Sequence, residues 1–480
     1  MHMSTKIRYI LRKSARGIFP LLCTLSGFAA GAQQLRLPAI FSDHMVLQQH
    51  AQLKVWGWAG PREGVKLVAS WSRDTLHTYT DAFAEWQITL PTPSAGGPYQ
   101  VTVFTKNSAL IIHDVVIGED WLCTGQSNME FSASWRTMAH WQQDTATAHY
   151  PLIRFFHINN ITAAFPQVTV AGKWEICTPR SMFGFSAAGY FFGRALYRKL
   201  REPIGLIESC WGGTPVEAWM PDSIFKAHLK LAQSARVLLP APWCPMVPSV
   251  CFNAMIAPIV SFPVAGAIWY QGETNVANPG TYEEDFSRMI RSWRNAWGKS
   301  FPFYFVQIAP FNYGNRDSAA LVREAQLATY RNVSHTGMVV TTDITVDTNN
   351  IHPIDKRDIG DRLANWALAN NYHLPDISFS GPLYRDMQIR KSHIRIYFDF
   401  AGSGLQIKGD SLTCIQIAGK DRHFYPANAV IRDSVLEVYS PSVPHPVAVQ
   451  FGFSNTARPN LYNIQGLPAS PFRTDDWPVQ

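Results

Sequence analysis

Hydrophobic and polar positions change rhythm twice along this chain. From Leu35 to about Asp114 apolar and polar residues alternate over short runs, among them Leu53 to Trp58, Val65 to Val68 and Tyr99 to Val103. These runs are rich in β-branched and aromatic residues and are separated by Gly, Pro and Ser, which predicts a small antiparallel β-sandwich. From about Val115 apolar strand-like runs alternate with stretches of helical period. Strands are predicted at Leu152 to Phe156, Ile204 to Glu208, Ala265 to Tyr270, Phe303 to Ile308 and Met338 to Thr342. Helices are predicted at Phe185 to Leu200, Tyr282 to Trp297, Ala319 to Tyr330 and Lys356 to Ala369. Such alternation implies a parallel sheet covered on both faces, whose ligands bind outside the carboxyl ends of the strands. After Pro375 alternating strands return, at Ile394 to Phe400, Thr413 to Ile417 and Val435 to Tyr439. The expected division is therefore 33–114, 115–375 and 376–480.

The first residues follow none of these rhythms. Lys6, Arg8, Arg12, Lys13 and Arg16 precede a largely apolar stretch from Ile18 to Ala30, and Ala30-Gly31-Ala32 has the small-x-small form of a signal-peptidase site. Residues 1–32 read as a signal peptide, and the expected location is secreted or periplasmic, with no membrane contact once the signal is cut. Cleavage leaves 37 basic against 35 acidic residues, a net charge of +2 in place of +7. Nothing in that balance suggests a nucleic-acid partner. Six cysteines remain. Cys244 and Cys251 are close enough in sequence to pair, whereas Cys123 and Cys210 read as small buried residues at strand ends. No spacing suggests zinc or another metal.

Candidate chemistry concentrates in four stretches, each after a predicted strand. In Thr124-Gly125-Gln126-Ser127-Asn128-Met129-Glu130, Gly125 permits a sharp turn and Ser127 falls where a helix begins. That is how several hydrolase folds present a nucleophile, and it is also where a plain N-cap serine belongs. In Trp211-Gly212-Gly213-Thr214-Pro215, paired glycines would let a backbone N–H approach a ligand, as an oxyanion hole requires, or would simply make a tight turn. In Trp269-Tyr270-Gln271-Gly272-Glu273, the Gln271 amide could face developing negative charge and Glu273 could brace the loop. In Asn349-Asn350-Ile351-His352-Pro353, a histidine after the last strand can reach a serine after the first.

These four motifs, in this order, resemble those of the sialate O-acetylesterases within the SGNH hydrolase superfamily. The likeness runs from roughly Leu37 to Trp477. It implies a flavodoxin-like α/β hydrolase domain flanked by β-rich regions, and a serine esterase that frees acetate from O-acetylated sugars. Sialic acids head the substrate expectation, with acetylxylan or another acetylated polysaccharide as the alternative. Ser127 would be the nucleophile and His352 its base; Ser127, Gly213 or Gly212, and Gln271 would form the oxyanion hole. Trp211, Trp219, Tyr270 and Glu273 would line the sugar site, although core packing explains the aromatic residues equally well. No cofactor is required. Many SGNH hydrolases place an aspartate three residues before the histidine, where this chain has Asn349. The orienting acid would then be Asp347, with Asp343 and Glu273 behind it, or the pair would act as a dyad. A reading of another class is a catalytically inactive carbohydrate-binding protein that uses its aromatic-rich β regions, including Trp56, Trp58, Trp71 and Trp86.

Overall fold

The structure is a computed structural model that describes residues 34–314 and 317–479. The export signal expected at residues 1–32 lies outside the described residues. The central sheet contains β1 (Ala109–Gly125), β2 (Tyr150–Ile158), β3 (Gly172–Cys177), β4 (Ile204–Cys210), β5 (Gly266–Tyr270), β6 (Phe303–Val306) and β7 (Thr336–Val339). Their spatial order is β7-β6-β5-β1-β4-β2-β3. All neighbours pair in parallel except the edge strand β3, which runs antiparallel to β2. Every residue of β4, β5, β6 and β7 is buried, because helices or loops cover both faces of the sheet.

Alternation along the strands divides two cores. Trp121 and Cys123 of β1, Leu206 of β4 and Ile268 of β5 face one layer, which includes Tyr190, Phe191, Ile359 and Leu363. Leu122, Ile207, Ala267 and Trp269 face the other, which includes Phe286, Met289 and Trp293. The covering helices are α2 (Ala187–Leu200), α3 (Tyr282–Trp297), α4 (Ser318–Asn332) and α5 (Lys356–Asn370), with the four-residue α1 (Ser127–Glu130) before them. Helix α3 shows why such a segment is helical. Tyr282, Phe286, Met289, Ile290 and Trp293 share one buried face, Glu283, Glu284 and Asp285 sit in the first turn, and Gly298 closes the end at φ +64°.

The 17-residue strand β1 begins in the N-terminal β region and ends in the central sheet. Its first half pairs antiparallel with Gly96–Phe104, and its second half lies between β4 and β5. One strand therefore ties the N-terminal β region to the α/β unit and passes through position 115. The C-terminal region is built of antiparallel sheets around Ile394, Ile396, Ile417, Leu436, Val438, Val449 and Phe451. It docks on α4, where Arg473 forms a two-point ion pair with Glu324 at 2.8 and 2.9 Å.

Candidate active site

β1 ends at Gly125, whose φ of +137° and tight surroundings exclude a side chain: a Cβ there would lie 2.2 Å from the Tyr270 carbonyl oxygen. The backbone turns at Gln126, and α1 starts with a half-buried Ser127 at the carboxyl end of the central strand. From β1 the chain runs to β2, beyond β4 on one side, and from β4 it crosses β1 to reach β5 on the other, so the serine stands at the crevice where strand order diverges. His352 comes from the loop between β7 and α5. Its Nε2 lies 2.9 Å from Ser127 Oγ, and its backbone N–H donates to Asn350 Oδ1 at 3.0 Å. Trp135 meets the imidazole edge-on at 5.1 Å. Burial, reinforced by the nearby Lys356 ammonium, lowers the His352 pKa to about 4. The imidazole is thus neutral at neutral pH and free to accept the serine proton.

The structure does not place Asp347 at this imidazole. Asp347 is exposed; its carboxylate accepts the Asn349 N–H at 2.8 Å and its carbonyl accepts the Asn350 N–H at 3.2 Å. A side chain folded back on its own loop makes a turn of the Asx kind and cannot orient a histidine five residues on. Asp343 is held by both Nη atoms of Arg362, at 2.8 and 2.7 Å. Among the described residues no hydrogen bond reaches His352 Nδ1, so the geometry is that of a Ser127–His352 pair.

Two of the four expected oxyanion donors are open. Trp211 to Thr214 form a tight turn, closed by Thr214 N–H on the Trp211 carbonyl at 3.3 Å, with Gly213 at φ +81°. Among the described residues neither the Ser127 N–H nor the Gly213 N–H has an acceptor. The Gly212 N–H is taken by Glu130 Oε2 at 2.7 Å. Gln271 is also committed elsewhere: wholly buried, its amide donates to Asn275 Oδ1 at 2.7 Å and accepts from the Tyr282 hydroxyl at 2.9 Å. It braces the loop beneath the site instead of facing it. Gln126, just before the serine, accepts the Gly272 N–H at 3.3 Å through Oε1, and its Nε2 has no partner among the described residues.

A family model described as carbohydrate esterase, sialic acid-specific acetylesterase, matches residues 118–369. The chain belongs to that family. The sialate O-acetylesterases of Homo sapiens and Mus musculus are each 30% identical to this esterase, over 390 and 419 residues respectively. The first alignment covers 74% of each chain; the second covers 75% of this chain and 77% of the mouse protein. A crystal structure of a carbohydrate acetylesterase from Xanthomonas citri superposes with a TM-score of 0.84 at 35% identity, covering 92% of this chain and 100% of that one.

Around the serine of this esterase lies a buried polar relay that sequence reading missed. Asn128 Nδ2 donates to Glu273 Oε1 at 2.5 Å and to the Ile351 carbonyl at 3.0 Å, while its Oδ1 accepts from Lys356 Nζ at 2.6 Å. One carboxamide therefore joins the serine turn, the Glu273 loop and the residue before His352. Lys356 is fully buried, 4.6 Å from the Phe131 ring and 5.3 Å from the Tyr270 ring. It stands at the first position of α5, where the helix dipole disfavours a cation. Burial lowers its pKa to about 7 and raises that of Glu273. In the sequence Lys356 reads as an ordinary helix-start residue; the only clue was its spacing four residues after His352.

The expected sugar-site residues divide unequally. Trp219 and Tyr270 are fully buried, Trp219 edge-on to Trp269 at 6.2 Å and Tyr270 in the layer beneath Lys356, so they are core. Glu273 is buried and faces Asn128 instead of solvent. Only Trp211 stays half-buried at the site. Trp86 is core, while Trp56, Trp58 and Trp71 are half-buried in the N-terminal region. Cys244 and Cys251 are free thiols, as are the other described cysteines. Among the described residues no group of three or more His, Cys, Asp or Glu is arranged to hold a metal, and no helix is long and apolar enough to cross a membrane.

Proposed function

We propose that this esterase cleaves O-acetyl groups from sugars through an acetyl-enzyme on Ser127, within a flavodoxin-like SGNH hydrolase domain. The observation that carries the reading is the 2.9 Å contact between Ser127 Oγ and a histidine that burial keeps unprotonated. Ser127 attacks the acetyl carbonyl carbon as His352 Nε2 takes its proton. The Ser127 and Gly213 N–H groups face the developing oxyanion. Collapse of the tetrahedral intermediate returns the proton from His352 to the sugar oxygen. Water, deprotonated by the same imidazole, then releases acetate and restores the serine. Asn128, Glu273 and Lys356 hold the two loops in register without touching the reacting atoms.

Sialic acids acetylated on oxygen are the first substrate expectation, from the relatives' activity. A second reading, acetylated neutral sugars such as acetylxylan, draws on Glu130. Its carboxylate lies beside the serine, where a Cβ on Gly212 would be 2.8 Å from Glu130 Oε2 and 3.3 Å from Ser127 Cβ. An anionic sugar would meet repulsion there whenever Glu130 is ionised, a state that burial disfavours. Acetate release from acetylated sialic acids and acetylated xylo-oligosaccharides separates the readings. Wild type should release acetate from at least one class, and Ser127→Ala should lose at least about 10⁴-fold. Equal turnover by that variant would refute the mechanism. We also propose export, driven by residues 1–32; N-terminal sequencing of the protein recovered outside the cytoplasm should begin at Gln33.

A further inference from the structure

Trp243 has 71% of its surface exposed, although it lies beside the most constrained part of the site. It occupies the tip of a tight turn in which Ala241 and Cys244 pair, among Pro240, Pro242, Pro245 and Pro248. Its backbone carbonyl accepts the Trp211 Nε1 proton at 3.3 Å. A Cβ added to Gly213 would come within 3.0 Å of the Trp243 indole nitrogen, and one added to Gly212 within 3.3 Å of Ser127 Cβ. The indole therefore adjoins Gly213, whose neighbour Gly212 adjoins Ser127, on the loop that presents the open Gly213 N–H. Trp135, 39% exposed, meets the His352 ring edge-on. The prolines limit the retreat of the exposed indole, which leaves a flat apolar face open to a ligand beside the site.

We propose that Trp243 is the sugar platform of this esterase: the pyranose ring bearing the acetyl ester stacks its C–H face on the indole while the ester carbonyl reaches Ser127. This rests on the esterase reading above and adds the residue that selects a glycan over a small ester. Stacking engages ground state and transition state alike, so its loss appears in KM. The test compares wild type, Trp243→Ala and Trp243→Phe on an acetylated oligosaccharide and on 4-nitrophenyl acetate. Trp243→Ala should raise KM for the oligosaccharide about tenfold with kcat little changed, and Trp243→Phe should recover most of the loss. The ratio of kcat/KM for the oligosaccharide to that for 4-nitrophenyl acetate should fall by a similar factor in Trp243→Ala. An unchanged ratio, whether because neither substrate suffers or because both suffer equally, would overturn the platform and leave the esterase reading standing. A wild-type protein active on 4-nitrophenyl acetate and inert on every acetylated glycan would overturn both.

Discussion

At the scale of single residues, the site depends on how the environment sets two neighbouring bases. His352 has its pKa lowered to about 4 by burial first and by Lys356 second. The acid limb of kcat/KM reports the free enzyme's base, so it should fall well below the ordinary histidine range, toward pH 4. Lys356→Met removes the neighbouring cation and should move that limb upward; a limb that stays in place would show that Lys356 exerts no field on the imidazole. The relay makes a second claim. Asn128→Ala removes the tie among three loops, and kcat should fall more than KM rises, because the serine–histidine distance loosens. Asp347→Asn should change kcat by no more than about twofold, as expected of an exposed residue outside the site. A steep drop in a pH-resolved assay would restore Asp347 as the orienting acid. Ser127 and His352 were legible in the sequence because turn chemistry and position after a strand mark them. Asp347, expected at the imidazole, lies folded on its own loop, because sequence spacing does not say where a side chain points.

At the scale of elements, largely apolar runs such as β4 and β5 and amphipathic segments such as α3 were readable from pattern alone. The antiparallel edge strand β3 was missed, since Gly172–Cys177 is short and mixes buried and half-buried positions. The length of β1 is not readable from its apolar end, because its first half alternates with exposed residues and serves another sheet. The loop after β5 carries the clearest lesson. Gln271 reads as a polar residue aimed at the substrate, yet Asn275, Tyr282 and, through Asn275, the buried Glu217 absorb it. Gln271→Ala would open a buried cavity and remove one hydrogen bond each from the Tyr282 hydroxyl, which keeps the Gln271 carbonyl, and from Asn275 Oδ1, which keeps the Val216 N–H, and should cost about 3 kcal/mol of stability. Denaturant unfolding measures this; an oxyanion role would instead lower kcat about 10²–10³-fold at unchanged stability.

At the scale of the whole molecule, the two shifted bases impose a pH slope on folding. The folded pKa of His352, about 4, is below its ordinary 6.5, so the unfolded chain binds more protons between those values. Stability should therefore decline as pH falls from 6.5 to 4. Lys356, lowered from 10.5 to about 7, adds a slope of the same sign across that higher window, which Lys356→Met should flatten in thermal unfolding against pH. The succession of β-rich, α/β and again β-rich stretches was legible because strands and helices differ in hydrophobic period. The strand shared by the first two parts was not, because pairing partners are set by tertiary contacts. The central claim is that one serine, activated by one histidine, carries the acetyl group. Intact-mass analysis after reaction with an aryl phosphonofluoridate, followed by peptide mapping, tests it most directly. A single adduct on Ser127, formed much more slowly in His352→Ala and absent in Ser127→Ala, is the predicted result; an adduct on another residue, or esterase activity that survives full labelling of Ser127, would contradict it.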